Sequence, residues 1–332
     1  MKPTLKYPVS IIGALCLSLH LFAQSAPATP FSALPSVTIN LKEPGPITGT
    51  VFRHFEVIDQ RSDTTRIGVH TFWPTFGHPR DRQLTFHSPA SAEIAGYLNT
   101  WFTRPDAPFT ALIVLRSLWL SDASYLREEL KKDPNKLYER THIRFKAEIY
   151  AVRDSQYMPI FRFDTLQAYK NSNLYRSVTT FYDLWDRDLT AIVSTMADSA
   201  SLLTAARVEH ARLLHLEDIL EFNRTRFYAP ISDNAALTPG VYVNFEEFRN
   251  NAPSIRDFEV KKENNTRVLY IKEAGGASWY YSHDVWGYCD GKAVYVMRDG
   301  ILRQAWKEGN AYYFFGNADK QLAIDMDTGG VY

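Results

Sequence analysis

The order of apolar and polar positions divides the chain into a leader and two folded regions. Residues 9–22 (VSIIGALCLSLHLF) form an unbroken apolar run behind Lys2 and Lys6, with Ala23, Gln24 and Ser25 after it. A basic start, a short apolar stretch and small residues mark a signal peptide, cut after Ala23 or Ser25. The run is too short to cross a hydrocarbon core of about 30 Å. Residues 1–25 are therefore expected to direct export, and 26–36, rich in Pro, Ala and Ser, read as a linker.

From residue 37 to 204 the pattern alternates between strand and helix periods. Val37, Ile39 and Leu41 alternate with polar residues, and 51–58 and 66–72 read as two more strands around the polar loop Asp59-Gln-Arg-Ser-Asp-Thr-Thr65. Pro74, Gly77 and Pro79 mark an irregular stretch. Ser88 is a candidate N-cap with Pro89 at the first helical position, and Ile94, Leu98, Trp101 and Phe102 recur at helical spacing. Ala111–Leu115, continued by Leu118-Trp-Leu120, is apolar on both faces and predicts a central strand. A short charged helix is predicted over 125–132. Residues 141–152 alternate cleanly: Ile143, Phe145, Ala147, Ile149 and Ala151 share one face, and His142, Arg144, Lys146 and Glu148 the other. A turn at Asp154-Ser155 leads into a strand over 156–164. Phe181, Trp185, Leu189, Ile192, Met196 and Leu203 then form the stripe of a long packing helix.

Residues 205–238 read as a helical connector, with a charged helix over 216–227. In 239–332, Asn244 and Glu247 have capping-box spacing, and six strands are predicted over 267–272, 284–289, 292–297, 301–306, 311–315 and 321–326. Asp290-Gly291 and Asp299-Gly300 are hairpin turns. The fold class expected is α+β: an N-terminal two-layer α/β sandwich with a mixed sheet, then a mostly antiparallel β meander, roll-like or barrel-like.

Composition narrows the function. Lys+Arg and Asp+Glu both number 37, and loss of Lys2 and Lys6 with the leader turns the balance slightly acidic. Binding by phosphate neutralisation needs a basic surplus, so nucleic acid is excluded as a partner. Cys16 lies inside the leader behind Leu15, which does not suit lipid attachment, and Cys289 then stands without a disulfide partner. One cysteine in an exported chain of this size fits a bacterial periplasm or cell surface. After the leader no membrane span is expected.

The sequence carries no Gly-x-Ser-x-Gly elbow, phosphate loop, dinucleotide fingerprint or His-Glu-x-x-His. His210 and His215 lie five apart, off the spacing of helical metal ligands, so neither metal nor cofactor is expected. Cys289 reads as a packed residue. Two groups remain as candidate binding residues. Asp59, Arg61 and Asp63 could hold a ligand, or could cap their own loop's amides. Trp279, Tyr280 and Tyr281 enter a strand behind Gly275-Gly276 and could stack on a sugar or a partner protein, or form core.

The string Gly240-Val-Tyr-Val-Asn-Phe-Glu-Glu-Phe-Arg-Asn-Asn-Ala-Pro-Ser254, with Val285-Trp-Gly-Tyr-Cys-Asp-Gly-Lys-Ala-Val-Tyr-Val296 and a leader ending Leu-Phe-Ala-Gln, resembles uncharacterised exported proteins of Gram-negative bacteria. The element order after Phe55-Glu-Val-Ile-Asp-Gln-Arg61 resembles small α+β domains of envelope accessory proteins, such as transport-auxiliary lipoproteins and the curli-secretion component. That resemblance implies assembly or regulation of envelope machinery and no catalysis, although the lipid-attachment cysteine of the lipoproteins is missing here. The reading is an exported, periplasmic or cell-surface protein that binds an envelope protein or a cell-surface polymer. The competing reading is an exported glycan hydrolase with dispersed carboxylates, which requires a deep cleft holding two carboxylates about 5–10 Å apart.

Overall fold

The computed structural model describes residues 33–47, 49–72, 80–123, 139–171, 178–233, 236–264, 266–273, 275–316 and 321–331. The expected leader, the residues between Phe72 and Arg80 and the expected helix over 125–132 lie outside the described residues. Seven strands, β1 (Ser36–Thr38), β2 (Phe52–Asp59), β3 (Gly68–Phe72), β4 (Arg80–Thr85), β5 (Phe109–Ala123), β6 (Glu139–Arg153) and β7 (Gln156–Asn171), make one mixed sheet. Its order is β1-β4-β3-β5-β6-β7, with β2 also on β5. The apolar run over 111–120 is the centre of this sheet, as its two-sided hydrophobicity requires.

Two helices cover one face. In α1 (Ala90–Trp101), Ile94 and Leu98 are buried; in α2 (Val178–Arg207), Trp185, Leu189, Ile192 and Met196 are buried. They pack with Ala111, Ile113 and Leu115 of β5 and Ile143, Phe145, Ala147, Ile149 and Ala151 of β6 in one hydrophobic cluster. By length and composition α2 could cross a membrane, but its apolar stripe is the one facing this core. The cap of α1 falls one residue later than the sequence suggests. Pro89 holds the N-cap position, while the Ser88 hydroxyl donates to Glu93 at 2.6 Å. Strand β4 was not foreseen, because Leu84 is its one apolar side chain and its place between β1 and β3 comes from backbone pairing.

Next come α3 (Leu216–Phe227) and the single turn α4 (Pro230–Asp233). The second region holds β8 (Gly240–Tyr242), α5 (Phe245–Arg249), β9 (Phe258–Glu263), β10 (Thr266–Lys272), β11 (Trp279–Tyr281), β12 (Gly287–Cys289), β13 (Val294–Arg298), β14 (Ile301–Glu308), β15 (Ala311–Phe315) and β16 (Gln321–Ile324). It is antiparallel throughout and forms two sheets, β16-β15-β14-β13-β12-β8 and β11-β10-β9. Asn244 caps α5 by accepting from the Glu247 amide at 3.0 Å. One face of the larger sheet packs on Phe248 and Ile231; the other meets Leu269 and Ile271 of the smaller sheet. The chain is thus mixed α+β, with a mixed sheet first and antiparallel sheets at the C-terminal end. Residues 34–332 form one compact unit with separate hydrophobic cores on the two sides.

Candidate functional site

The polar loop after β2 sits where β5 changes partners. β2 pairs along Phe109–Leu115, β3 pairs at Leu120 and Ser121, and the loop fills the gap. On its other side β5 carries a register shift between Leu115 and Ser117. The extra residue is Arg116. Before it Ala111, Ile113 and Leu115 face the helices; after it Leu118 and Leu120 do. Arg116 falls on the face opposite Leu115, and the bulge shifts the alternation after it so that Leu118 and Leu120 return to the helix side.

That opposite face is buried too, apolar where Leu112 and Val114 cluster with Tyr150 and Ile219 and charged beyond them. Arg116, Arg144, Lys146 and Glu148 are all buried. Arg116 donates from Nη2 to Asp327 Oδ1 at 3.2 Å and from Nη1 to the Gln60 carbonyl at 3.1 Å. Lys146 Nζ donates to Asp327 Oδ2 at 3.1 Å, and Arg144 Nε lies 3.6 Å from Asp325 Oδ2. The guanidinium of Arg116 stacks 3.6 Å above the ring of Phe227, at the end of α3. Burial lowers the Arg116 pKa, against the opposing pull of Asp327 and Glu148. The charged face of β6 therefore lies against the turn after β16 and the end of α3, whereas a two-layer sandwich leaves that face open.

The loop closes on itself and on the second region. Arg61 grips Asp59 with Nε at 2.9 Å and Nη2 at 2.7 Å, and its Nη1 donates to the Arg66 carbonyl at 2.8 Å. Asp63 accepts from the Thr65 amide and hydroxyl at 2.8 and 2.6 Å, and its other oxygen accepts from Tyr313 Oη at 2.6 Å. Arg66 lies 2.9 Å from Asp63 and 3.1 Å from Glu308. Burial, with the Asp63 carboxylate beside it, pushes the Tyr313 hydroxyl pKa well above its ordinary value. A cavity of about 300 Å³ lies between this loop, residues 116–119, the end of α3 and residues 323–327.

No family model matches the chain, and no curated protein matches it. Among solved structures, a Xanthomonas campestris protein of the DUF330 family overlays 52% of this chain and 99% of its own, with 11% identity and a TM-score of 0.34. A second, uncharacterised protein overlays 49% of this chain and 97% of its own, with 8% identity and a TM-score of 0.27.

Asp59, Arg61 and Asp63 thus come together on one wall of the cavity. Trp279, Tyr280 and Tyr281 lie on a different sheet. They form β11, with exposures of 44%, 50% and 47%. β11 pairs with β10 through Tyr281–Tyr270, Tyr280–Ile271 and Trp279–Lys272, and it is the terminal strand of its sheet. Trp286 instead stacks on Phe248 at 4.0 Å. Cys289 is buried, its Sγ accepting from the Gly291 amide at 3.2 Å, and burial raises the pKa of its thiol. His215 caps α3, its amide donating to Asp218 at 3.0 Å.

Arg116, Lys146, Asp325 and Asp327 were missed by sequence reasoning. One signal was available: Arg116 interrupts an otherwise apolar buried strand, and a buried arginine needs a carboxylate. Which carboxylate answers it is not readable, because Asp327 lies 211 residues away.

Proposed function

We propose that the protein is an exported binding or assembly accessory protein of the cell envelope, acting without catalysis. Its capture surface is the β11 edge. The observation that carries this reading is three consecutive aromatic residues, each near half exposure, on a terminal strand. A terminal strand presents backbone donors and acceptors on one side, and soluble proteins commonly guard such edges with charge or proline. Here the edge presents rings instead. An extended segment of a partner adds as a further strand, its backbone giving affinity and the rings giving contact area. The leader expected over residues 1–25 supports an encounter in the periplasm or at the cell surface.

The cavity bears on the hydrolase reading. Asp59, Asp63 and Asp327 are engaged by basic or phenolic side chains of the same chain, and Asp325 lies beside Arg144. Glycan hydrolysis needs one carboxyl to deliver a proton and another to attack or activate water. Carboxylates held by cations serve a structural joint better than that pair of roles.

The test is the double replacement Trp279→Ala, Tyr281→Ala. Surface replacements away from packed features stay within about 0.5 kcal/mol of stability. The melting temperature is expected to hold while capture of the partner falls at least about tenfold, given a contribution of about 2 kcal/mol from one interface aromatic. Unfolding of the variant, or undiminished capture, contradicts the reading.

A further inference from the structure

We propose that the cavity between the mixed sheet and the meander is a second binding site, separate from the β11 edge, and that it takes a neutral saccharide unit. Its size, about 300 Å³, lies at the lower end of small-ligand pockets. Its walls combine carboxylates, guanidinium groups and amides with the partly exposed rings of Phe227 and Tyr228, while Trp119 and Tyr313 are buried. Flat apolar faces beside hydrogen-bonding groups suit a molecule with a C–H face and a rim of hydroxyls.

The charge arrangement selects a neutral ligand. Asp59 is answered by Arg61, Asp63 and Glu308 by Arg66, Asp325 by Arg144, and Asp327 by Arg116 and Lys146, so that the carboxylates and cations of this network balance. A charged ligand would bring an uncompensated charge into this paired wall, at a desolvation cost. Polar capacity nevertheless remains at the mouth, where the exposed Arg224 and Asp233 line the cavity. At the lip, Tyr228 is 48% exposed, and its hydroxyl is hydrogen-bonded to the exposed Asp233. This presents an aromatic ring fixed by a carboxylate at the entrance, and Arg224 also lines the cavity.

The experiment is isothermal titration calorimetry of the exported chain with glucose, galactose, N-acetylglucosamine and N,N′-diacetylchitobiose. Glucuronate and glucosamine serve as the charged probes. At least one neutral saccharide is expected to bind with a Kd in the millimolar range or tighter, and the charged probes about tenfold more weakly. Tyr228→Ala and Asp233→Asn, both at exposed positions, are expected to keep the melting temperature and to weaken binding by about fivefold or more. Trp279→Ala with Tyr281→Ala is expected to leave saccharide binding intact, which separates this site from the strand edge. No heat from any neutral probe at about 10 mM, charged probes binding as well as neutral ones, or binding unaffected by both lip variants overturns the proposal.

Discussion

Asp327 faces two buried cations, Arg116 and Lys146, with one oxygen for each. Removing one partner of a buried pair leaves the other charge uncompensated, which typically costs about 3–5 kcal/mol. Asp327→Ala is therefore expected to lower unfolding free energy by about that amount in urea denaturation; a change below about 1 kcal/mol would show that the pairs contribute little. Cys289 gives a contrasting expectation. Its thiol is buried and its pKa raised, so a thiol reagent should react slowly with the folded chain and fast in denaturant. Rapid labelling of the native protein would contradict that placement. At this scale the sequence was readable wherever a residue's own type fixed its environment: Asp59, Arg61 and Asp63 stood out as a polar cluster. The partner that Tyr313 supplies to Asp63 lies 250 positions away, and no local pattern records it.

Among the elements, those with strong periodicity were legible. The run over 111–120 gave β5, and the stripe from Trp185 to Met196 gave α2, because burial on a defined face leaves a periodic trace. β9 did not show, because its burial alternates only weakly and its side chains are mostly charged (FEVKKE). The β6 alternation was legible, but what covers its charged side was not. A period of two marks two faces and does not say whether the polar one meets water or ion pairs. The meeting of β3 with β5 can be tested through Gly68. A side chain there would run into the backbone carbonyl of Leu120. Gly68→Ala is expected to cost about 1–3 kcal/mol, read from the denaturation midpoint, whereas Gly96→Ala, open on every side, should not destabilise.

Over the whole molecule, residues 34–332 make one compact unit with several hydrophobic clusters, and charged contacts join the mixed sheet to the antiparallel region. Buried tyrosines give the unit a characteristic alkaline response. Burial raises the hydroxyl pKa of Tyr150, Tyr242, Tyr288 and Tyr313, and that of Tyr312 to about 12. An unfolded tyrosine titrates near 10, so above that pH the unfolded chain releases protons that the folded one keeps. The stability from these groups is fully present below about pH 10 and is lost as pH rises above it, through about 12 for Tyr312 and at still higher pH for the others. Far-ultraviolet dichroism and phenolate absorbance followed together are expected to show a part of the phenolate signal appearing late and cooperatively with unfolding; completion of the whole phenolate signal while the chain is still folded would contradict this burial.

The proposed role rests on the β11 edge, and its most direct test is photo-crosslinking in cells that export the protein. A photoreactive side chain is placed at position 280, with a control at position 202, where Leu202 is 69% exposed on α2. A discrete partner adduct is expected from position 280 and not from 202, abolished by Trp279→Ala with Tyr281→Ala. No adduct at 280, or the same adducts from both positions, would contradict that role.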